Sequence, residues 1–118
     1  AQQVRFALGS DVGAGHDLSM YSVMLSAWSM QFARSGIRIE AEDLLRLATV
    51  EGAKILRMPV GSLEPGLAAD LQILDWKRIV PPGAPQVEST RDLISRVVHR
   101  GGRSAVREIY VAGTRHRS

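Results

Sequence analysis

The chain has 118 residues, 45% of them apolar and 23% charged, and its 15 Lys and Arg against 12 Asp and Glu give a net charge of +3. That balance excludes an extensively disordered chain and allows one modest hydrophobic core, while no apolar run approaches the roughly 18 residues that would span a bilayer. The absence of cysteine excludes disulfides and thiolate metal sites, and it fits a cytoplasmic protein.

The N-terminal Ala1-Gln2-Gln3-Val4-Arg5 lacks the apolar stretch of a signal peptide, and the missing initiator Met is what trimming, or a cut from something longer, would leave. Val4 to Leu8 then reads as a short, largely buried strand, leading into the glycine-rich loop Gly9 to His16. Asp17 or Ser19 can cap a helix whose apolar stripe is Met20, Val23, Met24, Ala27 and Met30, with Gly36 as its stop. A second helix is expected over Ala41 to Leu56, with Glu40, Glu42 and Asp43 at its start and Lys54 and Arg57 near its end, both favourable to the helix dipole. Leu44, Leu45, Ala48, Gly52, Ile55 and Leu56 would line one face, and Gly52 is explained if another backbone packs closely there. Pro59 forbids continuation.

Pro65-Gly66 suits the centre of a type II turn, Leu71 to Asp75 reads as a strand, and Pro81 to Pro85 is a rigid surface loop. Leu93 to Val98 fits a short helix or a strand equally, and Glu108 to Gly113 reads as a final strand entering a turn. From Arg91 onward seven Arg face only Asp92 and Glu108, a balance of +5. Such a tail can contact nucleic acid, but neither heptads nor interleaved aromatics accompany it, so a solvated face is the expected reading, with neither nucleic acid nor membrane as partner.

Asp11 is the residue with the most chemistry in it. A carboxylate directly after a buried strand stands where a (β/α)₈ barrel places catalytic groups, and it could bind a divalent metal and accept a proton from an activated water; it also suits a simple turn cap. Ser10, Gly13, Gly15 and His16 are the candidate lining of a substrate pocket around it. Gly13-Ala14-Gly15 is not a dinucleotide fingerprint, because Leu18 stands where the third glycine belongs. His16, His99 and His116 are too far apart to put two imidazoles on one metal, and the last two are expected on the surface. No G-x-S-x-G elbow makes a nucleophile of any serine. Asp70 is expected to bond nearby amides, and Trp28 and Trp76 to pack.

Five segments in order resemble the C-terminal portion of the amidohydrolase-superfamily aminohydrolases, above all the guanine deaminases, and their chlorohydrolase and triazine hydrolase relatives. They are Val4 to Asp11, Val12-Gly13-Ala14-Gly15 with Leu18-Ser19-Met20, Ala48-Thr49-Val50-Glu51-Gly52-Ala53, Gly61 to Asp70, and Arg107 to Gly113. The resemblance implies an α/β fold: residues 1–60 as the last strand and helices of a (β/α)₈ metal-dependent hydrolase barrel, and residues 61–118 as the C-terminal strands of a small β-sandwich domain. It implies a hydrolytic deaminase acting on a guanine-like heterocyclic amine with Zn²⁺ or Fe²⁺, in which Asp11 holds the metal and relays the water's proton. The family's H-x-H, two further histidines and a glutamate proton shuttle have no counterpart in these 118 residues. The isolated chain is therefore expected to be inactive, to bind no metal tightly, and to need the absent barrel segments or self-association to cover its faces. A triazine or other heterocycle hydrolase, and a non-catalytic basic binding module, are the alternatives.

Overall fold

The computed structural model describes residues 4–11, 13, 15 and 17–116. Among them the order of elements is α1 (Met20–Ser35), α2 (Ala41–Ala48), α3 (Val50–Leu56), β1 (Leu71–Leu74), α4 (Trp76–Ile79), α5 (Thr90–Arg100), a short 3-10 turn (Arg103–Ala105), β2 (Val106–Val111) and β3 (Thr114–His116). Helices α1, α2 and α5 pack together, and the strands form one antiparallel sheet in the order β1-β2-β3. No helix among the described residues is long and apolar enough to cross a membrane.

Helix α1 follows its stripe. Met24 is buried at the centre, Met20, Val23 and Ala27 are half-buried, and Met30 alone turns to solvent. Gly36 ends the helix with φ 68°, the left-handed conformation that glycine adopts without a Cβ penalty. At the other end Ser19 occupies the capping position without using its side chain, and Asp17 does the holding: its Oδ1 accepts from the Ser19 N–H and its Oδ2 from the Ser22 hydroxyl.

The helix expected over Ala41–Leu56 is two helices. Thr49 sits at φ −130°, ψ −87° between them, and its hydroxyl donates to the Leu45 carbonyl at 2.7 Å, diverting an acceptor from the helical ladder. The break re-aims the second half of the expected stripe. Leu44 stays fully buried, but Ala53 turns inward in place of Ile55 and Leu56, which are 45% and 68% exposed. Gly52 is no tight contact either, since an added Cβ would lie 3.8 Å from the Ala7 Cβ, an ordinary separation. The close approach is at Gly61, with φ 91°, where a Cβ would meet the Ala53 Cβ at 2.9 Å.

The core gathers Met24, Ala41, Leu44 and Val98, with Leu8, Tyr21, Trp28 and Ile94 packed against it. Val98 belongs to α5, which settles the ambiguity of residues 93–98 in favour of helix. Its start is a reciprocal cap: Ser89 Oγ accepts from the Asp92 N–H, and Asp92 Oδ2 accepts from the Glu88 N–H. Asp92 also binds Arg96, whose guanidinium reaches on to the Pro85 and Gln86 carbonyls and pins the proline loop to the helix. His99 is half-buried rather than exposed; its ring meets Trp28 edge-on at 5.6 Å.

Glu64 to Leu67 forms the expected turn, with Gly66 at φ 95° and the Leu67 N–H donating to the Glu64 carbonyl at 3.2 Å. Strand β1 pairs with β2, Leu71 opposite Tyr110, with an irregularity between Ile73 and Leu74. Ala112 and Gly113, at φ 48° and 77°, join β2 to β3 in a tight hairpin. Asp70 bonds an amide as expected, though a distant one: its Oδ1 accepts from the Ala112 N–H at 2.7 Å, beside a bond from the Gly113 N–H to the Ala69 carbonyl.

Residues 4–8 form no strand. Val4 and Phe6 are 80% and 63% exposed. The segment's one backbone tie to the helices runs from the Leu8 N–H to the Leu47 carbonyl at 3.0 Å. A strand exists only through its neighbours' hydrogen bonds, and the described residues place none beside this segment.

Candidate functional site

Asp11 follows Leu8, Gly9 and Ser10 off the edge of α2 and is exposed. Its backbone is in the left-handed region, φ 39°, which costs a side-chain-bearing residue free energy, though Asp less than most. Two bonds hold it there. The Gly13 N–H donates to Asp11 Oδ1 at 3.1 Å, and the Gly15 N–H donates to the Asp11 carbonyl at 2.7 Å. Both bonds return to Asp11, so Gly13 and Gly15 are pinched against it with the carboxylate at the head. The turn-cap reading of Asp11 is seen directly in these bonds, and the carboxylate is exposed.

Of the other candidates, Ser10, Gly13 and Gly15 belong to this turn, with Ser10 half-buried and the glycines exposed. His16 lies outside the described residues. The turn leads into Asp17, whose two bonds fix the first turn of α1. One residue into α1, the Tyr21 hydroxyl donates to Gln72 Oε1 of β1 at 3.2 Å, and its ring lies where a Cβ on Gly101 would come within 2.5 Å of it. Burial raises the Tyr21 phenol above its ordinary pKa. The sequence offered a capping role for Asp17, but the Tyr21 contact depends on β1 and the end of α5 meeting α1, which no local pattern encodes.

Two clefts lie elsewhere. One of about 460 Å³ runs along α1, α2 and α5 past Trp28, Arg38, Glu40, Arg91 and His99. The other, about 490 Å³, is bordered by Phe6, Gln31, Ile39 and Leu47. Neither touches the Asp11 turn. On the first, Arg91 meets Glu40 at 3.1 Å and Glu42 at 3.9 Å, and Arg38 lies over the Phe32 ring.

Whether the Asp11 turn could hold a divalent metal is a matter of donors. A carboxylate oxygen is a suitable ligand, and this one is exposed. Among the described residues no group of three or more His, Cys, Asp or Glu gathers in one place. The donor set fits one ligand of a metal site, not a complete site.

Similarity to known proteins covers nearly the whole chain. The profile of the Amidohydrolase family matches residues 1–113. A 5'-deoxyadenosine deaminase of Methanosarcina mazei is 30% identical over 113 residues, covering 93% of this chain and 25% of that protein. A 5-methylthioadenosine/S-adenosylhomocysteine deaminase of Pelotomaculum thermopropionicum is 33% identical over 110 residues, 90% of this chain and 24% of that protein. The structure of Escherichia coli guanine deaminase superposes with a TM-score of 0.80 at 25% identity, covering 97% of this chain and 27% of that one. The chain therefore spans about a quarter of the length of these relatives. Sequence profile and backbone superposition each cover nearly the whole chain, and the chain belongs to the amidohydrolase family.

Proposed function

We propose that this chain supplies the Asp11-bearing part of a hydrolytic deaminase that removes an amino group from a purine-like ring, guanine foremost. The observation that supports this most is the exposed Asp11 carboxylate at the head of a pinched glycine turn, in a backbone similar to that of a guanine deaminase. Asp11 would hold the metal, Zn²⁺ or Fe²⁺, through a carboxylate oxygen. A divalent metal in such a place supplies, when bound, a water made acidic enough to act near neutral pH. Asp11 accepts the proton of the attacking water and returns it to the departing nitrogen; the water oxygen bonds to the ring carbon, the C–N bond breaks and ammonia leaves.

The remaining ligands belong to segments outside these 118 residues, so turnover is a property of the longer protein and the chain by itself is inactive. Residues 1–60 serve it as barrel wall and residues 61–118 as part of a smaller sheet domain. A second reading, an adenosine-type purine as substrate, is favoured by the relatives that cover 93% and 90% of the chain.

The test is ammonia release by the longer protein from guanine, 5'-deoxyadenosine and 5-methylthioadenosine, in wild type and Asp11→Asn. The amide keeps the shape but cannot take a proton, so kcat on the preferred purine should fall at least ~100-fold. Retention of more than about a tenth of kcat would leave Asp11 a structural role only. The ratio of kcat/KM values between guanine and the nucleosides decides the substrate class.

A further inference from the structure

We infer that Gly15, and not Gly13, is the positioning residue for the Asp11 carboxylate. The inference rests on the reading of Asp11 as the residue that holds the metal. In sequence the two glycines stand symmetrically about Ala14 and look interchangeable. The structure separates them.

Gly13 acts through its N–H, a group that every residue except proline has. A Cβ added there would lie 3.7 Å from Asp11 Oδ1, in ordinary van der Waals contact. Nothing about the turn requires that residue to be glycine. At Gly15 a Cβ would collide with the Ser10 carbonyl oxygen, and it would stand 2.6 Å from the Asp11 carbonyl oxygen and 3.0 Å from the Ser10 carbonyl carbon. All three are backbone atoms, so no side-chain rotation relieves the clash. Residues 10 and 11 themselves must move.

That movement reaches the carboxylate directly. The Gly15 N–H bonds the Asp11 carbonyl at 2.7 Å, and this bond closes the turn that keeps Asp11 at φ 39°. A methyl group at position 15 opens the turn and breaks the bond. Asp11 then relaxes toward the negative φ that a side-chain-bearing residue prefers, and its Cα–Cβ direction swings. As a positioning residue Gly15 acts through Asp11.

The first measurement needs no activity. Amide hydrogen exchange of the 118-residue chain, read by NMR, should show the residue-15 N–H protected in wild type and in Gly13→Ala, and unprotected in Gly15→Ala. The second uses the longer protein and Zn²⁺ competed against a chelator. Gly15→Ala should weaken Zn²⁺ affinity by ~10–100-fold with melting temperature and KM close to wild type, while Gly13→Ala stays within about a factor of three. Fast exchange of the Gly15 amide in wild type overturns the inference. So do equal losses in the two variants, unimpaired affinity in Gly15→Ala, or a Gly15→Ala chain that fails to fold, since positioning would then not be separable from folding. Asp11→Asn serves as the control: if it binds Zn²⁺ like wild type, the functional reading fails, while the exchange result still reports whether Gly15 closes the turn.

Discussion

Leu44 and Ile55 lie on what a continuous helix would make one apolar face, and the break at Thr49 gives them opposite fates. Leu44 is fully buried between α1 and α5, against Met24 and Val98, whereas Ile55 is 45% exposed. Truncating a fully buried leucine to alanine removes its transfer free energy and leaves a cavity, together about 3 kcal/mol within a range of about 2–5. Unfolding entropy near 2.1 cal/mol/K per residue gives about 250 cal/mol/K for 118 residues. Leu44→Ala should therefore lower the melting temperature by about 12 °C, and Ile55→Ala, half in water already, should cost under about 1 kcal/mol. Thermal and guanidinium unfolding followed by far-UV circular dichroism, at one fixed protein concentration, measure the shift and the two costs. Equal costs for the two variants would mean that α2 and α3 share one face after all, and the packing described around Thr49 would be wrong.

Acid should weaken the α5 cap in a definite window. The Arg96 guanidinium, more than the Glu88 N–H, holds the Asp92 carboxyl below its ordinary value of 3.8, against a smaller opposing effect of burial. The folded pKa is depressed, so the contribution is whole above the ordinary value and is lost as pH falls through the lowered one; the stability gap between wild type and Asp92→Asn should close over that range in an acid titration. The purified 118-residue chain should retain no tightly bound metal after dialysis, and near-stoichiometric zinc that disappears in Asp11→Ala would show that the chain builds a site of its own. With Val4, Phe6, Met30 and Leu56 between 63% and 80% exposed, sedimentation at micromolar concentration should show species heavier than the 12.9 kDa monomer. A compact monomer would mean that these side chains need no cover.

What could be read from the sequence was what local chemistry decides. The three- and four-residue spacing from Met20 specified α1, Gly36 marked its end, Pro65-Gly66 its turn type, and the apolar run at Leu71 its strand. What escaped depended on partners. Residues 4–8 have strand composition but no neighbour to pair with, and the Thr49 break turns on one hydroxyl choosing the Leu45 carbonyl. Strand β3 is written in Thr114, Arg115 and His116, all exposed, with no alternation to betray it; only the hairpin turn makes it a strand. At the site, Asp11 was legible as a carboxylate closing an apolar run. The unequal demands on Gly13 and Gly15 were not, because a two-residue spacing carries no information about which carbonyl each will face.

The hairpin turn at Ala112-Gly113 has a bearing on the order in which the chain assembles. Its first residue carries a Cβ yet sits at positive φ, a conformation that costs free energy in isolation. The carboxylate that takes the Ala112 amide belongs to Asp70, which is 42 positions earlier in the chain. During synthesis β1 therefore emerges well before β2, and the residues between them form α4 and α5. Arg96, by tying Pro85 and Gln86 to α5, shortens the excursion that must later close. The hairpin's turn is imperfectly stable by itself; docking against Asp70 and Ala69 both joins β2 to β1 and secures that turn. Strand pairing and turn formation are thus one cooperative step, and the edge of β1 stays open to foreign strands until it occurs.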